Sequence, residues 1–328
     1  MSTTASAVAP KPEQLRHIVD IAGLAPSVHN TQPWRFVVTP FGLELHADPK
    51  RQLSQLDPLG RQLRMSCGAA LHHAEVAARA LGLDMAVQLV DPSPGQTHLA
   101  DLVLSCGAPP SESELRLATA VLHRHTHRGA FDGRRISAAV LNVLRAAVES
   151  QGAIVGDVQG DDLINLDVLL SRASHRQEED PRYRAELRRW VHSDPERDDG
   201  IPVAAATVVK GSDLRQRDFT LDQPPALDGT LPRSDHPQVL VLATTDDGPA
   251  AWLRSGRALA ALLLHAADHG VQAQPLGQVT DADSDRAVLR VELGLVAIPQ
   301  LVLRLGYAPR LALTPRRPVE SVMAAVAD

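Results

Sequence analysis

Two short runs hold residue types whose spacing could do chemistry. In Arg124-His-Thr-His-Arg128-Gly-Ala-Phe131-Asp132 two guanidinium groups and a hydroxyl occupy alternate positions. On an extended segment Arg124, Thr126 and Arg128 project to one face, which suits a phosphate dianion that needs several charge-assisted donors from one side. A solvated basic strand is the alternative. The second run, Ala25-Pro-Ser-Val-His-Asn-Thr-Gln-Pro-Trp34, ends a helix. Pro26 disfavours helical geometry at Ala25, Ser27 and Asn30 bond locally to freed backbone groups, and Pro33 stops a restart. What remains is a turn offering hydroxyl, amide and backbone groups to a flat polar ring. Otherwise Ser27 and Asn30 only satisfy the turn, and Trp34 is core.

Other chemistries find less support. His123, His125 and His127, with His29, His72 and His73, could be metal ligands, because alternating histidines on a strand share a face. No acidic partner or cysteine stands at ligand spacing and the same run suits a phosphate, so no metal is expected. Gly-x-Gly-x-x-Gly, Gly-x-x-x-x-Gly-Lys-Ser/Thr and Gly-x-Ser-x-Gly are all absent, which leaves dinucleotide, P-loop and hydrolase readings unsupported. Cys67 and Cys106 read as a helix start and the end of an apolar strand, both buried thiols in a reducing compartment.

The chain has 328 residues, enough for a large core and about two domains. Its 33 lysines and arginines against 39 aspartates and glutamates give a net charge of −6, and aromatic content is 3%. Neither a positive field nor a stacking platform is available for nucleic acid or an acidic membrane. Lysine occurs only at Lys11, Lys50 and Lys210, so the positive charge is nearly all guanidinium, as a GC-rich genome would also produce. Residues 1–12 read as a flexible tail without a secretory apolar segment, and no stretch is long and apolar enough to span a bilayer. A cytoplasmic protein is expected.

The elements that must position the two runs occur twice. Cys67–Leu83 aligns without gaps onto Ser255–Val271, matching Gly68, Ala70, Leu71, Ala78 and Gly82 to Gly256, Ala258, Leu259, Ala266 and Gly270. Both are Ala/Leu helices apolar on nearly every side that stop at a glycine. Each is followed by an apolar strand with a terminal glycine, Leu102–Gly107 and Leu301–Gly306, and preceded by an amphipathic helix. The helix stripes are Leu15, Ile18, Val19 and Ala22 in one half and Val140, Val143, Leu144 and Ala147 in the other. The ordered set predicts a duplicated domain with two halves about a pseudo-two-fold axis.

The run from Ala25 to Trp34 resembles the Ala-Pro-Ser-x-x-Asn-x-Gln-Pro-Trp signature of the nitroreductase superfamily of FMN proteins. With Ser66-Cys67-Gly68-Ala-Ala-Leu and the duplication, the chain resembles the Acg-type, fused branch of that superfamily. The resemblance implies an α+β fold in which two tandem halves form an intrachain pseudo-dimer, with FMN in the cleft between them. It implies 13–122 as the first half, 123–328 as the second, and 192–237 as an insertion and candidate lid.

The resemblance also implies site residues. Arg124, Thr126 and Arg128 would bind the FMN phosphate, Gly129 being an insertion relative to the family pattern, and Arg316 and Arg317 would complete that site. Pro26, Ser27, Val28 and Asn30 would form the loop facing the flavin. Pro275, Leu276 and Gly277, in Gln274-Pro-Leu-Gly-Gln278, would present backbone groups to the ring, where a plain helix-to-strand turn is the alternative. The first half has only Pro10-Lys-Pro-Glu13 before its opening helix, and the second has Gln151–Val155 where the first has Pro26–Asn30. One composite site per chain follows. The implied activity is transfer of hydride from NAD(P)H to a nitroaromatic, quinone or enone, with no catalytic side chain required. The alternative is storage of FMN without turnover. Either a monomer or a homodimer fits.

Overall fold

The computed structural model describes residues 9–90, 95–206, 214–220, 235–309 and 314–324. The first half runs α1 (Pro12–Gly23), β1 (Trp34–Thr39), β2 (Gly42–Ala47), α2 (Arg61–Ala80), β3 (Leu83–Leu89), β4 (His98–Cys106) and α3 (Glu112–His123). The second opens with α4 (Ala138–Glu149), β5 (Ile154–Val158), α5 (Asp161–Glu179), α6 (Pro181–Trp190), β6 (Val191–His192), β7 (Ile201–Pro202) and β8 (Gln238–Thr244). It continues with α7 (Pro249–Asp268), β9 (Gln272–Leu276), α8 (Gln278–Asp281), α9 (Asp283–Glu292), β10 (Ile298–Gly306), α10 (Val319–Val322) and β11 (Met323–Ala324).

The apolar stripe of α1 is buried at Leu15, Ile18, Val19 and Ala22, and that of α4 at Leu144 and Ala147. The sheets repeat as well. The first has the order β11-β1-β2-β4-β3 and the second β5-β8-β10-β9, so β1, β2, β4 and β3 correspond to β5, β8, β10 and β9. All of these neighbours are antiparallel except β11, which the C-terminal segment lays parallel to β1 with Phe36 opposite Met323. The second half therefore supplies a strand, and with it buried Val319 and Val322, to the first half's core.

The two halves meet through α2 and α7, each of 20 residues and buried on most sides. A Cβ on Gly68 would stand 2.0 Å from the Leu253 carbonyl oxygen, and one on Gly256 1.9 Å from the Met65 carbonyl oxygen. In the gapless alignment Gly68 corresponds to Gly256 and Met65 to Leu253. Each helix thus makes on its neighbour the contact that the neighbour makes on it, the reciprocity that a two-fold axis imposes. The cores reflect it: Leu253 packs among first-half residues and Met65 among second-half residues.

Several expectations shift. α2 begins at Arg61 rather than Cys67, because the Asp57 carboxylate accepts from the Gln62 and Leu63 amides at 3.0 and 2.8 Å and caps the helix there. Cys67 is buried mid-helix, whereas Cys106 is exposed, being the last residue of β4 where the sheet ends. Gln274–Leu276 belongs to β9 instead of a turn; Pro275 is tolerated because β9 is the sheet's edge. The interruption of the second half separates the paired strands β5 and β8, so it starts after Val158, ahead of His192, and includes α5 and α6. In the first half the same connection is the short turn at Pro40 and Phe41. Within the expected insertion, 207–213 and 221–234 lie outside the described residues, as do 1–8 of the tail. No helix among the described residues is long and apolar enough to cross a membrane.

Candidate active site

After α1 the chain enters a strained turn. His29, Asn30 and Gln32 take φ of 46°, 54° and 48°, left-handed values that cost side-chain-bearing residues roughly 1–2 kcal/mol each. Bonds from several elements hold them there. Ser27 Oγ accepts from the Gln32 amide at 2.9 Å, and the Val28 amide donates to Ser66 Oγ of α2 at 3.2 Å. Asn30 Nδ2 donates to the carbonyls of Gly200 and Pro315 at 2.9 and 3.0 Å, and Gln32 Nε2 to that of Asp198 at 2.8 Å. Strain held in place from outside is typical of ligand sites. Ser27 and Asn30 do satisfy the turn, and Trp34 is fully buried in β1.

Beside this turn three guanidinium groups lie buried without a carboxylate. Arg124 leaves the end of α3, and Thr126 bridges to Ala273 at the outer edge of β9. Arg124 and Arg316 donate to the same carbonyl, that of Leu24, at 3.1 and 3.4 Å. Arg316 also donates to Asn30 Oδ1 at 3.0 Å. Among the described residues none of Arg124, Arg128 and Arg316 has an ion-pair partner, and the Nε atoms of Arg124 and Arg316 are buried without an acceptor. Burial pushes their pKa values down to about 9, 10 and 10, and the neighbouring guanidinium adds to the shift at Arg124 and Arg316.

Elsewhere the chain satisfies buried arginines. Arg304 pairs with Asp235 and donates to Gln274 Oε1 at 2.6 Å, and Arg61 donates to the Gln300 carbonyl at 2.6 Å. What sets the cluster apart is several guanidinium groups together with Nε atoms left without an acceptor, an arrangement that an anion from outside the chain would resolve.

Arg128 of this cluster lines a cleft between the halves. Its walls are Pro26, Ser27, Val28, His29, Gln62, Met65 and Ser66 from the first half, and Thr126, Arg128, Leu259, Pro275, Leu276, Gly277 and Leu301 from the second. Of the expected residues, Pro26, Ser27, Val28, Thr126, Arg128, Pro275, Leu276 and Gly277 line it; Arg124 and Arg316 are not in its lining, although the Arg128 charge acts on Arg316 and the Arg316 charge on Arg124. Asn30 and Arg317 do not. Asn30 clamps Gly200, Pro315 and Arg316 together, and Arg317 turns to the carbonyls of Gln32 and Ser321 at 3.2 and 2.9 Å.

Arg217 and Phe219 come from the interruption and also line the cleft. The Arg128 guanidinium lies over the Phe219 ring at 5.1 Å, and His29 meets that ring edge-on at 5.5 Å. Arg217 donates to the Tyr183 hydroxyl and pairs with Asp281. Burial, then Arg217 and Arg128, hold His29 well below its ordinary pKa, so its ring is neutral. The sequence signal for Phe219 was faint: one aromatic residue within a Pro-, Asp- and Arg-rich stretch of a chain that is 3% aromatic. The arrangement can take a flat ring between apolar and amide-bearing walls, with an anionic tail at the arginine end.

The full-length protein named "Putative NAD(P)H nitroreductase Rv3131" from Mycobacterium tuberculosis H37Rv is 31% identical over 330 residues, covering 96% of this chain and 92% of that one. The chain belongs to the nitroreductase family. The model of the Nitroreductase family matches residues 6–56, the segment with α1 and the strained turn. A second nitroreductase-family relative, "Putative NAD(P)H nitroreductase acg" of the same organism, is 32% identical over 322 residues, covering 94% of each chain. The solved FMN and NADPH-dependent nitroreductase NfnB from sphigopyxis sp. strain HMH shares 18% identity at a TM-score of 0.40, covering 63% of this chain and 96% of that one. In this member of the family both walls of the cleft come from one chain.

Proposed function

We propose that the chain is an FMN-dependent NAD(P)H oxidoreductase that reduces a small flat acceptor such as a nitroaromatic, quinone or enone. The observation that carries the reading is the carboxylate-free cluster of Arg124, Arg128 and Arg316, whose Arg128 lines the cleft between the halves. Those three would hold the FMN phosphate, with the Thr126 hydroxyl beside them. Pro26–Val28 and Pro275–Gly277 would flank the ring system, and the neutral His29 adds no charge to that wall. When bound, FMN supplies two-electron hydride chemistry. The chain's own part is to bind, orient and exclude water: Leu259, Leu301 and Leu276 give the cleft a dry wall, and Phe219 covers the side toward Arg128. Stopped-flow mixing with NADPH tests the reading, and rapid bleaching of the bound flavin is the expected result. No bleaching over minutes would instead establish storage, a reading favoured by the presence of Phe219 and Arg217 from the interruption in the lining of the cleft.

Stoichiometry gives a second check. Arg124–Arg128 and the turn after α1 each occur once, and α4 runs into β5 without a comparable turn, so saturated protein should carry one flavin per chain. Two flavins released per chain on denaturation would contradict this. A third outcome concerns the cover. Phe219→Ala should leave FMN bound and speed bleaching by both NADPH and dithionite, because a cover gates entry. Excising 192–237 entirely is a poorer test, since Asp198 and Gly200 brace the strained turn. Unchanged bleaching rates in Phe219→Ala would remove the cover from the mechanism and, with it, the basis for storage.

A further inference from the structure

The outer face of the first sheet gathers two histidines and two carboxylates, none of which lines the cleft. On β2, Glu44 and His46 alternate with buried Leu43, Leu45 and Ala47, so they leave the sheet on the side opposite the core. On β4, Asp101 stands opposite Glu44 and His98 opposite His46. The register shifts between those pairs: Leu45 faces Ala100 and His46 faces His98, which leaves Leu99 as the extra residue of a β-bulge. Without the bulge His98 would face the core side. With it, His98 shares the outer face with Asp101, Glu44 and His46.

One ligand atom each from Glu44, His46 and His98 lies within 4.8 Å of the other two. His46 Nε2 is 2.9 Å from Glu44 Oε2, and the two imidazoles stack at 4.7 Å between centroids. His98 Nε2 is shielded from solvent and lies 3.0 Å from Asp101 Oδ1 without an aligned hydrogen bond. We propose that Glu44, His46 and His98, with Asp101 as the fourth group, bind a borderline divalent transition metal, zinc foremost. Two imidazoles with carboxylates suit zinc, cobalt or nickel, whereas calcium and magnesium prefer an all-oxygen shell. Bonds of about 2.0–2.2 Å in a tetrahedron place ligand atoms about 3.3 Å apart, so closure takes about an ångström of side-chain rotation. The part-exposed side chains of His46, Glu44 and His98 have room for it. Arg35, opposite His46 on β1, is the neighbouring cation, and two carboxylates outweigh it. Bound metal would staple β2 to β4 across the bulge.

The test is a titration of chelator-treated, untagged full-length protein with zinc chloride alone, read by calorimetry and by competition with a chromogenic chelator. One zinc per chain is expected, with a rise in melting temperature and a visible absorption band when cobalt replaces zinc. His46→Ala and His98→Ala should each weaken zinc binding at least tenfold, and Glu44→Gln should weaken it as well, while FMN binding stays unchanged. His72→Ala, which alters another histidine beside a carboxylate, should leave zinc binding intact. Absence of saturable binding to the unsubstituted protein, or one-to-one binding that survives both histidine substitutions, would overturn the proposal. Because these readouts need no flavin, they stand apart from the oxidoreductase reading.

Discussion

Arg316→Ala and Arg124→Ala should each weaken FMN binding by about 10- to 150-fold while leaving riboflavin binding nearly unchanged. A charge-assisted hydrogen bond contributes roughly 1.5–3 kcal/mol, and riboflavin has the ring without the phosphate. The stability of the flavin-free protein should move the other way. Arg128 is buried, has no ion-pair partner among the described residues and has its pKa pushed down to about 10, so its charge carries a cost that the Phe219 ring offsets in part and a bound anion would offset further. Arg128→Met should therefore stabilise the flavin-free protein by about 1–3 kcal/mol, as replacing buried charges by apolar side chains commonly does. Equal losses for FMN and riboflavin in the two alanine variants would move the phosphate away from the cluster. A destabilised flavin-free Arg128→Met would show that the contact with the Phe219 ring already offsets the buried charge.

Gly256→Ala should destabilise the protein by about 3 kcal/mol or more, and Gly68→Ala by a similar amount. Each new methyl would lie about 2 Å from a backbone carbonyl oxygen of the opposing helix, and backbone cannot step aside as a side-chain tip can. The shift in denaturation midpoint checks this. Gly23→Ala, where an added Cβ meets nothing within 4 Å, is the control and should change stability little. A mild effect at Gly256 would mean that α2 and α7 can separate without loss, and the reciprocal crossing would lose its structural weight.

Much of this was readable from the chain. The stripe Leu15, Ile18, Val19, Ala22 marks α1 because burial on one face leaves a period of 3.6, and the gapless match of Cys67–Leu83 to Ser255–Val271 already pairs the two glycines that pack reciprocally on the opposing helix. The alternation of Arg124, Thr126 and Arg128 is legible because it needs only an extended segment. What stayed hidden depends on distance along the chain. Arg217 reaches His29 from 188 positions away, and no local pattern records that pairing. Pro275 and Gly277 read as turn punctuation, yet Pro275 sits in a strand because an edge position leaves its missing amide without consequence. The start of the interruption was missed because α5 has an ordinary amphipathic pattern, indistinguishable in sequence from an element of the repeat.

The parallel pairing of β11 with β1 fixes an order of events. Phe36 meets Met323 only after the whole second half has left the ribosome, so until then the first sheet has an open edge at β1 and its core lacks Val319 and Val322. Closing contacts so far apart in sequence is slow, and exposed strand edges invite pairing with other chains meanwhile. Arg316 belongs to the same returning segment, with Arg317 bonded to Gln32 across 285 positions. One returning segment thus carries both the strand that covers the open edge of β1 and the guanidinium that Asn30 holds beside Arg124.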